Sequence, residues 1–357
     1  MNERRTTLAG PGHVGDGRSH PAAVVVFVVF VLLAAAACGA RSGHGATSAP
    51  GDTAETTPEA AAAHIERGIE PVGQVVAGSI ETTDGRTRSY HLYVPASLPS
   101  DAPVPLLVGL HGGGGWGTQF EDNSRFDRLA EANGFLVVYP DGVGVSLIGE
   151  DDHLRTWNAG TCCGQAEKDG IDDVAFISQL IDQIEADHHV DPSRVYAAGH
   201  SNGAMLSYRL ACELSDKIVA VGIVSGALEI DSCTPAKPVS VIQINGTADD
   251  NVPIDGGRGS RTLSGGSHPP PRDGADAIAR ADACADGPEV GVRGDLTTTS
   301  WTGCADGTDV RYVVIDGSPH AWPGSVGRPL SGLTVGTPYP DYDASFEVWA
   351  FLSSHPR

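Results

Sequence analysis

The sequence predicts an α/β fold: a mostly parallel central sheet with helices on both faces. Three observations lead there. Short apolar runs such as Pro105–Leu110 and Phe135–Tyr139 have the texture of strands buried on both sides. Stretches of helical period alternate with these runs, and strand–helix alternation implies parallel crossovers. Between one such strand and one such helix stands a Gly-x-Ser-x-Gly pentapeptide, Gly199-His200-Ser201-Asn202-Gly203.

The first segment is an address. Arg4, Arg5 and Arg18 precede an apolar run from Ala22 to Ala37, which is short for a spanning helix and suits a signal peptide over 1–37. The run ends in Ala35-Ala36-Ala37-Cys38, which resembles a bacterial lipobox, although Leu is more usual at the place of Ala35. Cleavage before Cys38 and lipidation of its thiol follow from that reading. Residues 38–70 are rich in Ala, Gly, Ser, Thr and Pro and hold too few large apolar groups for a core. They are expected to be a flexible linker. The folded domain is then 71–357.

Within it, Ser89–Val94 alternates as a strand, and Pro105–Leu110 is the first buried one. A helix is expected over Phe120–Asn133, stopped by Gly134, and Phe135–Tyr139 returns to strand. Val174, Ile177, Leu180, Ile181 and Ile184 repeat with helical period over Val174–Asp187, and Asp172 or Asp173 can cap it. Val195–Ala198 is a strand, Ala204–Leu214 a helix, and Ala220–Val224 and Val239–Ile244 two further strands. Asp255–Asp273, full of Gly, Ser, Arg and Pro, reads as a long loop. Val310–Ile315 is the last strand and Ala344–Leu352 the closing helix.

Charge narrows the partners. The 45 acidic residues exceed the 23 basic ones, and a net charge of -22 opposes binding to phosphate backbones or to an anionic membrane surface. No nucleic acid is expected, and the membrane is met only through the lipid anchor. A neutral substrate and a monomer fit best. Of the 7 cysteines, six remain once Cys38 is set aside, an even number that favours disulfides in an exported chain. They lack paired C-x-x-C spacing, so no metal is expected. Cys284 and Cys304 are the preferred pair. Cys162, Cys163, Cys212 and Cys233 allow three connectivities, and adjacent Cys162 and Cys163 are expected to take different partners.

The pentapeptide has the setting of a nucleophile elbow, a turn too tight for large neighbours that lifts a serine hydroxyl clear of a sheet. Ser201 is the candidate nucleophile. A serine needs a base, and the downstream histidines are His268, His320 and His355. His268 lies in a Pro-rich stretch and His355 near the terminus; His320 follows the Val310–Ile315 strand after a short turn and is the candidate base. The acid should follow an earlier strand. Asp249, after Val239–Ile244, is first choice and Asp250 second. Oxyanion donors are expected from the Asn202 backbone N–H and from the glycine run after Leu110-His111, with Gly113 chosen over Gly112 and Gly114. Trp157 and Trp322 serve equally as walls of an acyl pocket or as core.

These blocks together resemble a family. Leu110-His-Gly-Gly, Trp157-Asn, Cys162-Cys163-Gly, Asp172-Asp-Val, Asp191-Pro-Ser-Arg-Val-Tyr196, the pentapeptide, Gly246-Thr-Ala-Asp249 and His320-Ala-Trp-Pro-Gly324 occur in this order over roughly residues 75–355. The series is similar to that of extracellular polyhydroxybutyrate depolymerases and feruloyl or acetylxylan esterases. The resemblance implies an α/β-hydrolase fold and cofactor-free hydrolysis of feruloyl-, acetyl- or hydroxybutyrate-type esters by Ser201, Asp249 and His320 in a catalytic domain at 71–357. Asn245 stands where the family often has His, and Gly113 where Cys can stand. Transfer of an acyl group to a sugar acceptor, and a non-catalytic ligand-binding surface lipoprotein, are the alternative readings.

Overall fold

A computed structural model describes residues 68–146, 152–262, 266–327 and 334–357. The signal segment 1–37, Cys38 and the linker up to residue 67 lie outside the described residues.

The elements follow the chain as β1 (Gln74–Glu81), β2 (Thr87–Val94), β3 (Val104–Leu110), α1 (Gly117–Ser124), α2 (Phe126–Asn133), β4 (Leu136–Pro140), β5 (Val143–Ser146) and β6 (Asp152–Thr156). Then come α3 (Gly164–Lys168), α4 (Asp173–Asp187), β7 (Val190–His200), α5 (Asn202–Glu213), β8 (Ala220–Val224) and β9 (Ser240–Gly246). The chain closes with α6 (Pro271–Ala281), β10 (Asp286–Arg293), β11 (Leu296–Thr302), β12 (Val310–Ile315) and α7 (Ala344–Ser353). Ten strands form one sheet in the order β1-β2-β4-β3-β7-β8-β9-β12-β11-β10. Its middle, from β4 to β12, is parallel. The outer pairs on both sides are antiparallel. Strands β5 and β6 form a separate hairpin.

The continuous apolar runs are explained by the two faces. Leu106, Val108 and Leu110 pack with Phe176 and Leu180 of α4 and Leu206 of α5. Leu107, between them, points the other way, into a cluster with Leu129 of α2 and Val348 and Trp349 of α7. Both alternating sets of β3 are thus covered. The elements absent from the sequence reading lack that signal: every residue of β10 is exposed, as are most of β1.

Two expectations are corrected. The helix foreseen over Phe120–Asn133 is two helices, broken at Arg125, whose backbone is left-handed at φ 52°. On one straight helix Phe120 and Phe126 would point about 120° apart. With the break, both rings meet Trp322, at centroid distances of 5.2 and 5.9 Å. The stretch Asp255–Asp273 is not loop throughout, because α6 begins at Pro271; a proline in the first turn gives up only an N–H that had no helical partner.

The cysteines pair as Cys212–Cys233, Cys284–Cys304 and Cys162–Cys163. The expectation of different partners for Cys162 and Cys163 is therefore wrong. The loop holding them satisfies its own backbone, with Ala159 N–H donating to Cys162 O and Cys163 N–H to Trp157 O, so both side chains are buried together.

A buried ion pair joins this loop to the sheet. Arg88 of β2 donates to Asp173 Oδ1 (2.8 Å) and to Asp141 O (2.9 Å), and its guanidinium lies over Phe176 at 4.1 Å. Asp173 Oδ2 accepts from the Asn158 N–H at 2.7 Å. Asp172, one residue earlier, caps α4 through the Ala175 N–H. Burial pushes the Asp173 carboxyl above its ordinary pKa, with Arg88 opposing that shift. Arg88→Met leaves Asp173 buried without its cation, and urea unfolding is expected to show a loss of about 3–5 kcal/mol. A loss below about 1 kcal/mol would show that the pair has no such role.

Candidate active site

Strand β7 lies between β3 and β8 at the middle of the sheet, so its last residues emerge at the centre of the carboxyl edge. There the chain turns sharply into α5. Ser201 adopts φ 55°, ψ -121°, a conformation disfavoured for a residue with a side chain. It is held by its N–H to Val224 O (2.9 Å) and by Met205 N–H to its own carbonyl (2.9 Å). The flanking glycines are steric necessities. A Cβ on Gly199 would lie 2.3 Å from the Gly203 carbonyl carbon, and one on Gly203 would lie 2.3 Å from Leu110 O.

The loops after β9 and β12 bring Asp249 and His320 to this turn. The Ser201 hydroxyl donates to His320 Nε2 at 2.9 Å, and His320 Nδ1–H donates to Asp249 Oδ2 at 2.7 Å. The other Asp249 oxygen accepts from the N–H groups of Asn251 and Val252, both at 2.8 Å. Three hydrogen bonds thereby fix the carboxylate, and the imidazole tautomer with it. Asp250 points elsewhere, toward Arg261 at 3.5 Å. His355 pairs with Asp309 near the C-terminus. His268, in its Pro-rich stretch, is buried and hydrogen-bonded to Glu229.

The glycine run after β3 sits beside Ser201. Gly114 N–H donates to Arg155 O (2.7 Å) and Gly115 N–H to Gly112 O (3.0 Å), so neither is open to a ligand. The N–H groups of Gly113 and Asn202 have no partner among the described residues. A Cβ on Gly113 would lie 3.7 Å from Asn202 Cβ, so the two peptides adjoin.

Three polar side chains that sequence reasoning passed over hold this geometry. His111 Nδ1–H donates to Gly112 O (2.8 Å) while its Nε2 accepts the Gly142 N–H (2.9 Å). His200 Nε2–H donates to the backbone carbonyl of His320 at 2.6 Å. The Asn202 side chain pairs with both backbone groups of Trp157, at 2.7 and 2.9 Å. Residues flanking a nucleophile inside so tight a turn must point somewhere buried, which is the signal that was available. Burial drives His111 to a pKa of about 4, and burial with the neighbouring His320 drives His200 to about 4. The two tryptophans differ: Trp157 is core, its ring tilted against that of His111 at 4.8 Å, whereas Trp322, also buried, lines the cavity.

That cavity, of about 580 Å³, holds Ser201 and His320 and is bordered by the glycine run, Phe120, Met205, Trp322 and His268. Among the described residues no cluster of His, Cys, Asp or Glu could hold a metal.

Comparison with known proteins gives this geometry a setting. Residues 88–269 match the family described as Esterase PHB depolymerase. A putative esterase, NocK, from Nocardia uniformis subsp. tsuyamanensis is 30% identical over 82% of this chain and 88% of its own length. Feruloyl esterase B of Piromyces equi is 28% identical over 64% of this chain, which spans 41% of that longer protein. Among solved structures, an acetyl xylan esterase from Aspergillus awamori superposes with a TM-score of 0.50 at 15% identity, covering 69% of this chain and 94% of the other. That likeness shows the α/β-hydrolase fold. The relatives lend no support to the acyltransferase or non-catalytic alternatives.

Because their rings are neutral in the folded state and titrate near 6.5 when unfolded, His111 and His200 each withdraw stability as pH falls from about 6.5 toward 4, by about 1.4 kcal/mol per pH unit. Two outcomes are expected. Nitrogen NMR at pH 5 finds both rings uncharged, and His200→Gln loses stability less steeply than wild type across that window. Charged rings at pH 5 would overturn this account.

Proposed function

The chain belongs to the Esterase PHB depolymerase family of carboxylic ester hydrolases, and from that premise we propose that Ser201, His320 and Asp249 carry the reaction through an acyl-enzyme. The observation behind the proposal is the unbroken series of hydrogen bonds from Asp249 Oδ2 through the His320 ring to Ser201 Oγ, at 2.7 and 2.9 Å.

Ser201 Oγ attacks the ester carbonyl as its proton passes to His320 Nε2. The carbonyl oxygen becomes an oxyanion between the N–H groups of Gly113 and Asn202, which have no competing partner among the described residues. Asp249 holds the imidazolium and does not itself take the proton. The tetrahedral adduct collapses, the C–O bond to the alcohol breaks, and His320 protonates the departing oxygen. Water, deprotonated by His320, then attacks the acyl-serine, and collapse of the second adduct restores Ser201 and frees the acid. No step requires a cofactor.

Feruloyl, acetyl and hydroxybutyrate-type esters are the substrate classes suggested by the relatives and the family. The cleft, walled on one side by Phe120 and Trp322, fits a neutral acyl group of modest size. The disulfides suit an oxidising, extracellular compartment. The exported chain works as a monomer, tied to the membrane by lipid on Cys38 and set off from it by the 38–70 linker.

Ser201→Ala is expected to lower kcat on p-nitrophenyl acetate by a factor on the order of 10⁴–10⁶ and to abolish labelling by a fluorophosphonate probe. Equal hydrolysis by variant and wild type would sink the assignment. Cys38→Ser is expected to move the protein from the membrane fraction to the medium; a variant still retained in the membrane would contradict lipid anchoring.

A further inference from the structure

The cleft contains a second imidazole held by a carboxylate. Glu229 follows β8, and His268 stands in the stretch leading to α6. His268 Nδ1–H donates to Glu229 Oε1 at 2.7 Å, and both side chains are at least 97% buried. The other Glu229 oxygen accepts from Thr161 Oγ1 at 2.7 Å, and Glu229 O accepts from the Thr161 N–H at 2.8 Å. The backbone of His268 is clamped too: its N–H donates to Gly257 O (3.0 Å), and its carbonyl accepts from Gly257 N–H (2.8 Å). Ring and main chain are thus fixed independently.

A carboxylate can only accept, so Nδ1 carries the hydrogen, and whenever the ring is uncharged Nε2 is left as the acceptor. Nε2 has no hydrogen-bond partner among the described residues, while the ring lines the cleft that holds Ser201. An acceptor oriented so firmly, and open to the cleft rather than closed in by protein atoms, is placed to meet a ligand. In His320 the same arrangement points Nε2 at the Ser201 hydroxyl. In His268 no hydroxyl among the described residues pairs with it.

We infer that Glu229 and His268 form a hydroxyl-binding subsite of this cleft, in which His268 Nε2 accepts a hydrogen bond from a free hydroxyl of the ester substrate. The inference rests on the reading of the cleft as the ester site. A neutral acceptor backed by a carboxylate selects a donor and repels an anion, and the donors carried by a neutral ester are its hydroxyl groups. His268 contacts the substrate; Glu229 is a positioning residue that keeps Nε2 bare. The hydroxyl can belong to the acyl part, as in a hydroxyacyl ester, or to the alcohol part, as in a sugar ester.

The test compares matched esters. One pair is p-nitrophenyl 3-hydroxybutyrate and p-nitrophenyl butyrate; the other is a mono-acetylated methyl xyloside and cyclohexyl acetate. The ratio of kcat/KM within each pair cancels any general structural damage. In His268→Leu that ratio is expected to fall roughly 10- to 100-fold for one pair, and the affected pair identifies which part carries the hydroxyl. His268→Gln, whose amide can still bond near the Nε2 position, recovers part of the loss. Unchanged ratios in both pairs overturn the inference. A second readout does not use turnover: the His268 Nε2 resonance of the wild-type protein moves on adding N-phenyl 3-hydroxybutyramide or methyl xyloside, and stays in place with N-phenyl butyramide. Failure of both hydroxyl ligands to move it also overturns the inference. Glu229→Gln shifts the free Nε2 signal toward that of a protonated nitrogen if Glu229 sets the tautomer. Full activity in Ser201→Ala would instead refute the nucleophile assignment, and the resonance test would still decide the subsite.

Discussion

The structure depends on a contact without side chains: the backbone of Gly203 pressed against the carbonyl of Leu110. It exists because β3 and β7 run side by side and end together, so that the turn after one crosses the end of the other. From that crossing come the positions of Ser201 at the top of β7 and of the glycine run at the top of β3. Neither loop could approach the other if Gly203 carried a Cβ, which would lie 2.3 Å from Leu110 O. The conformation of Ser201, unfavourable in isolation, survives because the strands on both sides already fix the turn.

Around this crossing the protein buries polar side chains whose work is to hold backbone. His111, His200 and Asn202 each reach from one loop to the main chain of another, and both polar side-chain atoms of His111 and of Asn202 find partners. Fully satisfied networks of this kind specify a single arrangement, whereas a partly satisfied one would loosen it. Keeping both histidines neutral leaves the space around His320 free of a competing positive charge.

Much of this was legible in the sequence where periodicity or order carries information. The parallel strands β3, β4, β7, β8, β9 and β12 appear as apolar runs because both faces are covered. Ser201, Asp249 and His320 could be chosen because each follows such a run, and the structure sets them within hydrogen-bond distance. What escaped has a physical cause. Strands β1 and β10 are exposed edges with no apolar signature. The break at Arg125 is set by where two phenylalanines must point, a tertiary demand on a locally helical stretch. His268 was passed over because its neighbours are prolines, and its partner Glu229 lies 39 residues away, across a strand.

The loops after β9 and β12 are spliced together. Thr247 N–H donates to Ile315 O, Ala248 N–H donates to Ser318 O, and Gly246 packs so closely on Ser318 that a Cβ would lie 1.9 Å from its carbonyl oxygen. Asp249 and His320 are therefore delivered by one joint, whatever the chain does between the two strands. That intervening stretch holds His268, α6 and the β10–β11 hairpin. It can lengthen, shorten or be exchanged during evolution while the joint stays closed, so the chemistry and the choice of substrate are free to diversify separately.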